Sequence, residues 1–180
     1  MLRLTVQMSP EGWDEVKEEF VEATTQTLQL EHSLISLSKW ESKWCKPFLS
    51  KEKKTTEEVV DYIKFMTLNS VDPTIYDHLS SENFAKIDEY INAPMTATTF
   101  SENNQSKGGR EIITSELIYY WMVALNIPFE CQKWHLNRLL TLVRVCNIKN
   151  QPPKKRSKRE TASSYAALNA ARRKQMNTKG

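Results

Sequence analysis

The sequence predicts a mainly α fold with a small N-terminal β-hairpin, an α+β arrangement. A compact helical domain covers 1–150 and a basic C-terminal arm covers 151–180. Three observations predict it. Near the N-terminus apolar residues alternate with polar ones, the period of a half-buried strand. From Ser33 onward they recur every three or four positions, the period of a helix. After Asn150 a proline pair interrupts the chain and the charge changes sign.

The strand signal lies in "LRLTVQM", from Leu2 to Met8, and returns in "TQTLQLEHS", from Thr25 to Ser33, through Leu28 and Leu30. The two pieces are expected to pair. The acidic link "SPEGWDEVKEEFVEAT" between them is expected to hold a helical turn. In the first helix Leu34, Leu37, Trp40 and Trp44 share one face, and Pro47 ends it. The second opens on Thr55 and Glu58, spaced for a capping box in which hydroxyl and carboxylate satisfy each other's backbone N–H groups. Its inward stripe is Val59, Ile63 and Met66, with Tyr62 beside it. Pro73 breaks the chain before a short turn, "TIYDHL". A third helix, "SSENFAKIDEYINAP", turns Phe84, Ile87 and Ile91 inward. The polar stretch "MTATTFSENNQSKGGRE" has no period and reads as a long loop.

Next comes an αα-hairpin. Thr114 or Ser115 caps a helix running to about Leu125, and Asn126 suits its C-terminal turn. Pro128 precedes a second helix, expected to run unbroken from Phe129 to Cys146 with Leu136, Leu139, Leu140 and Val143 inward and Lys133, Asn137 and Arg144 outward. The first helix, "SELIYYWMVALN", is apolar nearly all round and is expected to be covered on more than one side. Tyr119, Tyr120 and Trp121 point three ways, so at least one of them must meet another element or a partner. The apolar run Leu117–Phe129 falls short of the roughly 20 residues that a membrane span needs, so no membrane role is expected.

The arm carries nine Lys and Arg and one acid, Glu160, a net of +8. The first 150 residues hold 16 basic and 21 acidic side chains, a net of −5. An overall charge of +3 thus conceals an acidic body and a basic tail. The basic residues are Lys154, Lys155, Arg156, Lys158, Arg159, Arg172, Arg173, Lys174 and Lys179. Ser157 with Glu160 forms a second capping-box pair, and Ala162–Met176 has helical composition. Such an arm docks on acidic protein, including another copy of the chain, contacts nucleic-acid phosphates, or stays solvated.

Little in the sequence supports catalysis, and no enzyme activity, cofactor or metal is expected. Glycine-rich phosphate loops are missing. None of His32, His78 and His135 sits in a nucleophile–base motif. Cys131 and His135 are four apart, but no second Cys/His pair completes a zinc site. They read as a core thiol and a helix-boundary imidazole. With no secretory signal, the sparse cysteines are expected to stay reduced. The candidate binding residues are aromatic: Trp40, Trp44, Tyr119, Tyr120, Trp121 and Trp134. Trp40 and Trp44 lie one turn apart and suit either core or interface anchors.

The stretches "TLQLEHSLISLSKWESKWCKPFL", "MTATTF", "SELIYYWMVALNIPFECQKWHLNRLLTLVRVCN" and "ALNAARRKQMNTKG" together resemble a family of small proteins encoded among the structural genes of tailed bacteriophages and prophages. The resemblance covers nearly the whole chain. It marks a lineage and not a chemical motif. It implies a tail assembly chaperone, which binds the helical tape measure protein in the host bacterial cytoplasm before tail tube subunits polymerise. The alternative it implies is a virion component of neck, tail or baseplate, whose basic arm touches neighbouring subunits or DNA.

Overall fold

A computed structural model describes residues 1–9, 12–14, 19–100, 112–151 and 158–177. The expected mainly α, α+β fold is what it shows. Strand β1 (Leu2–Ser9) pairs antiparallel with β4 (Thr24–Leu30), setting Leu2 opposite Leu30 and Leu4 opposite Leu28. Between them, β2 (Gly12–Asp14) pairs with β3 (Glu19–Val21) where a helical turn was expected. The pairing sets Trp13 opposite Phe20, and aromatic residues favour the pleated conformation. Local strand propensity there outweighs the acidic, helix-favouring composition.

Helix α1 (Leu34–Trp44) starts at Ser33, whose side chain exchanges capping contacts with Ser36. It ends one residue before Cys45, which takes the left-handed conformation (φ 51°) and donates its N–H to the Glu41 carbonyl. This cap, and not Pro47, sets the end. Helix α2 (Thr56–Met66) carries the expected Thr55–Glu58 capping box. A 3₁₀ turn (Pro73–His78) and α3 (Ser81–Asn92) follow. After α2 the chain returns beside β4: Glu31 N–H donates to the Met66 carbonyl and Leu68 N–H to that of Gln29.

The first core is the inner face of the hairpin (Leu4, Val6, Leu28, Leu30) against Trp40, Tyr62, Ile63, Met66, Ile75, Ile87 and Tyr90. The second joins Leu34 and Leu37 of α1 to α4 (Ser115–Ala124) and α5 (Leu136–Asn150), through Ile118, Met122, Ile127, Cys131, Leu136, Leu139 and Val143. Helix α1 thus serves both.

The second helix of the αα-hairpin is not continuous. A 3₁₀ turn covers Phe129–Lys133, and α5 begins only at Leu136. The break has a cause. His135 bridges to Ser33 in antiparallel pairing, and Leu136 N–H donates to the His32 carbonyl over 2.7 Å. Those bonds require extended backbone at His135.

A polar seam crosses this junction. His32 Nδ1 and the Tyr62 hydroxyl share a hydrogen bond of 2.5 Å, and the His32 and His135 rings lie 5.1 Å apart. His135 Nδ1 faces the N–H of Asn137 at 3.3 Å and Nε2 faces the Tyr90 carbonyl at 3.0 Å. An Nε2–H neutral imidazole satisfies both contacts. The Tyr90 hydroxyl donates to Glu31 over 2.7 Å. Desolvation lowers the pKa of both histidines, that of His32 to about 3 with a further push from His135. It also drives the Tyr62 and Tyr90 phenols far above their ordinary range.

The chain divides into two units, Met1–Asn147 and Ile148–Gly180. The second contains α6 (Lys158–Met176), whose side chains from Ala162 to Asn177 are all exposed.

Candidate protein-docking face

Helix α4 is positioned from its first residue. Thr114 caps it, accepting from Leu117 N–H. The buried Glu41 carboxylate on α1 accepts the Ser115 N–H at 2.7 Å and, with its other oxygen, the Phe48 N–H at 2.8 Å. A carboxylate there satisfies an orphan amide and complements the helix dipole. At the far end Asn126 takes the left-handed conformation (φ 53°), and Ile127 N–H returns to the Met122 carbonyl over 2.8 Å. The expected Asn-terminated helix is therefore present.

Pinned at both ends, α4 buries one stripe only: Ser115, Ile118 and Met122. Of the two ways of covering it on more than one side, by the domain or by a partner, the domain supplies only the inner side and the two half-buried flanks, Tyr119 and Trp121. Tyr120 is 64% exposed and Val123 61%, three residues apart on the outward face. Tyr119 flanks them, half-buried, with its hydroxyl on Gln132 Oε1 (3.0 Å) and its ring 6.4 Å from that of Phe129, itself 53% exposed. Partial burial raises the Tyr119 phenol pKa, so this edge stays neutral. Tyr119, Tyr120, Val123 and Phe129 make an apolar, aromatic face with little charge inside it. Glu116 and Glu130 are exposed at its two ends.

Of the aromatic residues singled out in the sequence, Tyr119 and Tyr120 come together here. Trp121 lies on the other flank of α4, half-buried against the second core. Trp134 packs on that core under the Arg138 guanidinium, 4.1 Å from its ring centroid. Trp44 edges the first core beside Trp40, its ring 6.3 Å away. Trp40 is fully buried and its Nε1–H donates to the Glu58 carbonyl at 2.7 Å, which withdraws it from any partner surface. In the arm, Arg159, Arg172, Arg173 and Lys174 are exposed and Lys158 opens α6. Lys154, Lys155, Arg156 and the Ser157 capping position lie outside the described residues. Of the expected long loop, 95–100 carry no regular element and 101–111 also fall outside.

Val123 and Phe129 were missed as face residues. Val123 was legible, since it stands three after Tyr120. Phe129 was hidden by the expectation of a continuous helix. Glu41 carries no local sequence signal, because its partner Ser115 is 74 residues away.

Among the described residues, no three His, Cys, Asp or Glu side chains gather as metal ligands would. No helix there is long and apolar enough to cross a membrane. In comparison with known proteins, the chain matches no family model, no curated protein and no solved structure.

Proposed function

We propose that the chain is a passive assembly chaperone of a tailed bacteriophage, which holds helical segments of the tape measure protein until tail tube subunits polymerise round them. The observation that carries this reading is the outward face of α4, with Tyr120, Val123 and Phe129 in water. An unassembled tape measure protein presents long apolar helical stripes. Such a stripe laid along Tyr119, Tyr120, Val123 and Phe129 buries apolar surface on both partners. The gain is about 25 cal/mol per Å² removed from water. Holding by burial alone needs no nucleotide, cofactor or catalytic group. Release then follows from competition, as tube subunits cover the same stripes. The resemblance to proteins of phage structural-gene clusters supplies the client; the face supplies the means of holding it.

The test is co-expression with the tape measure protein encoded in the same cluster. The wild-type chain is expected to keep that protein soluble. Tyr120→Glu places a charge at the centre of the face, on a side chain too exposed to matter to folding. It is expected to abolish solubilisation while leaving the circular dichroism spectrum and melting curve unchanged. Full solubilisation by a folded Tyr120→Glu/Val123→Glu protein would refute the role of this face. Many copies in washed virions, by mass spectrometry, would make the chain a structural component instead.

A further inference from the structure

We infer that α6 is a DNA-binding helix, which inserts its Arg159–Ala162–Ala166–Asn169–Ala170–Arg173 face into the major groove of a duplex. The placement follows from helical geometry. At 3.6 residues per turn, positions 159, 162, 166, 169, 170 and 173 fall within one stripe. All six are exposed. Both ends of the stripe are arginine. Between them the side chains are three alanines and one asparagine. The rise of 1.5 Å per residue puts the two arginine Cα atoms about 21 Å apart.

This pattern suits a duplex groove on three counts. The major groove is about 12 Å wide and admits an α-helix, and alanine lets the helix backbone approach the base edges. Asn pairs bidentately with adenine, so the stripe holds a group that reads a base edge between two arginines that bind phosphate. Outside the stripe, the exposed Arg172 and Lys174 flank its C-terminal end, where phosphates border the groove.

The pattern suits a protein partner poorly. A helix that packs on another helix needs a continuous apolar seam. Along α6 the exposed apolar side chains Tyr165, Leu168 and Met176 share one side, but Arg172 interrupts them, so the seam is not continuous. A generic acidic surface would account for the arginines. It gives no reason for a stripe of small residues that ends in arginine on both sides. The inference rests on α6 alone and stands or falls separately from the α4 face.

The experiment is fluorescence anisotropy of the full chain with a labelled 24-base-pair duplex of mixed sequence. The four described basic side chains of α6, Arg159, Arg172, Arg173 and Lys174, engaging four phosphates give a salt exponent of about −3.6, so affinity is expected to fall about 150-fold between 50 and 200 mM NaCl. Arg159→Gln/Arg173→Gln is expected to weaken binding and lower the exponent by about 2. Ala166→Leu keeps helix propensity and charge but fills the stripe, and is expected to weaken binding tenfold or more. Ala171→Leu, on the opposite face, is expected to leave it unchanged. Binding that is absent or insensitive to salt would overturn the inference. Equal effects of Ala166→Leu and Ala171→Leu would overturn groove insertion. Binding of labelled poly-glutamate as tight as that of the duplex would assign the arm to acidic protein.

Discussion

His32 shows how much one buried side chain can carry. Its imidazole is 2% exposed, bonded to Tyr62 and edge-on to His135, so it stays neutral in the folded chain. An unfolded histidine takes up a proton near pH 6.5, whereas folded His32 does so only near pH 3. Between those values the unfolded state binds the extra proton, so stability is full above pH 6.5 and falls as the pH drops towards 3. His32 alone is expected to cost about 2 kcal/mol between pH 7 and pH 5. His135, also lowered by burial, acts in the same direction, and protonation would remove the acceptor that faces Asn137 N–H. Urea unfolding at the two pH values measures this. A His32→Gln variant is expected to show a shallower decline; an unchanged decline would assign the effect to other groups. None of this network was legible in the sequence. His32, Tyr62, Tyr90 and His135 come from four separate segments, and only tertiary packing makes them neighbours. The bland reading of His135 as a helix-boundary residue was right, and Cys131 is core as expected.

Elements announced by local chemistry were legible as whole units. The Thr55–Glu58 box, the Thr114 cap and the Asn126 turn each sit within a few residues of what they satisfy, so spacing alone revealed them. Failures arose where a distant partner overrode local preference. The Phe129–Cys146 helix broke because His32 and Ser33 take the backbone bonds around His135. The acidic link is the exception, since its strands pair with each other over a few residues. The exposed face of α4 was half legible: its aromatic content was read from the sequence, while its membership depended on which stripe of α4 the core claimed. Glu41 holds the first residue of α4 against α1, and Ile118 and Met122 pack below it on Leu34 and Leu37. Glu41→Ala strands two amide donors, those of Ser115 and Phe48, and is expected to destabilise the chain by about 2–4 kcal/mol in urea unfolding. Glu41→Gln keeps an acceptor oxygen and is expected to cost less. Equal losses in the two variants would show that acceptor geometry there does not matter.

At the scale of the molecule, the two cores differ in how they draw on the chain. The first takes all its side chains from Leu2 to Ile91, an unbroken stretch. The second needs Leu34, Leu37 and Phe48 together with residues from Ile113 to Cys146. Helix α1 therefore has one face served by its immediate neighbours and another that waits for sequence some 80 residues further on. Closing long loops is entropically slower than joining near neighbours. In refolding followed by pulsed hydrogen exchange, amides of β1, β4, α2 and α3 are expected to gain protection before those of α4 and α5. Simultaneous protection would show that the cores form as one cooperative unit. The same arrangement has a meaning during synthesis. A ribosome adding 5–20 residues per second takes about 3–11 s to travel from Ile91 to Cys146. For that interval the nascent chain holds a finished hairpin layer and a helix whose second side, Leu34 and Leu37, is still uncovered. In that interval Leu34 and Leu37 are expected to be open to chaperones that bind emerging apolar segments.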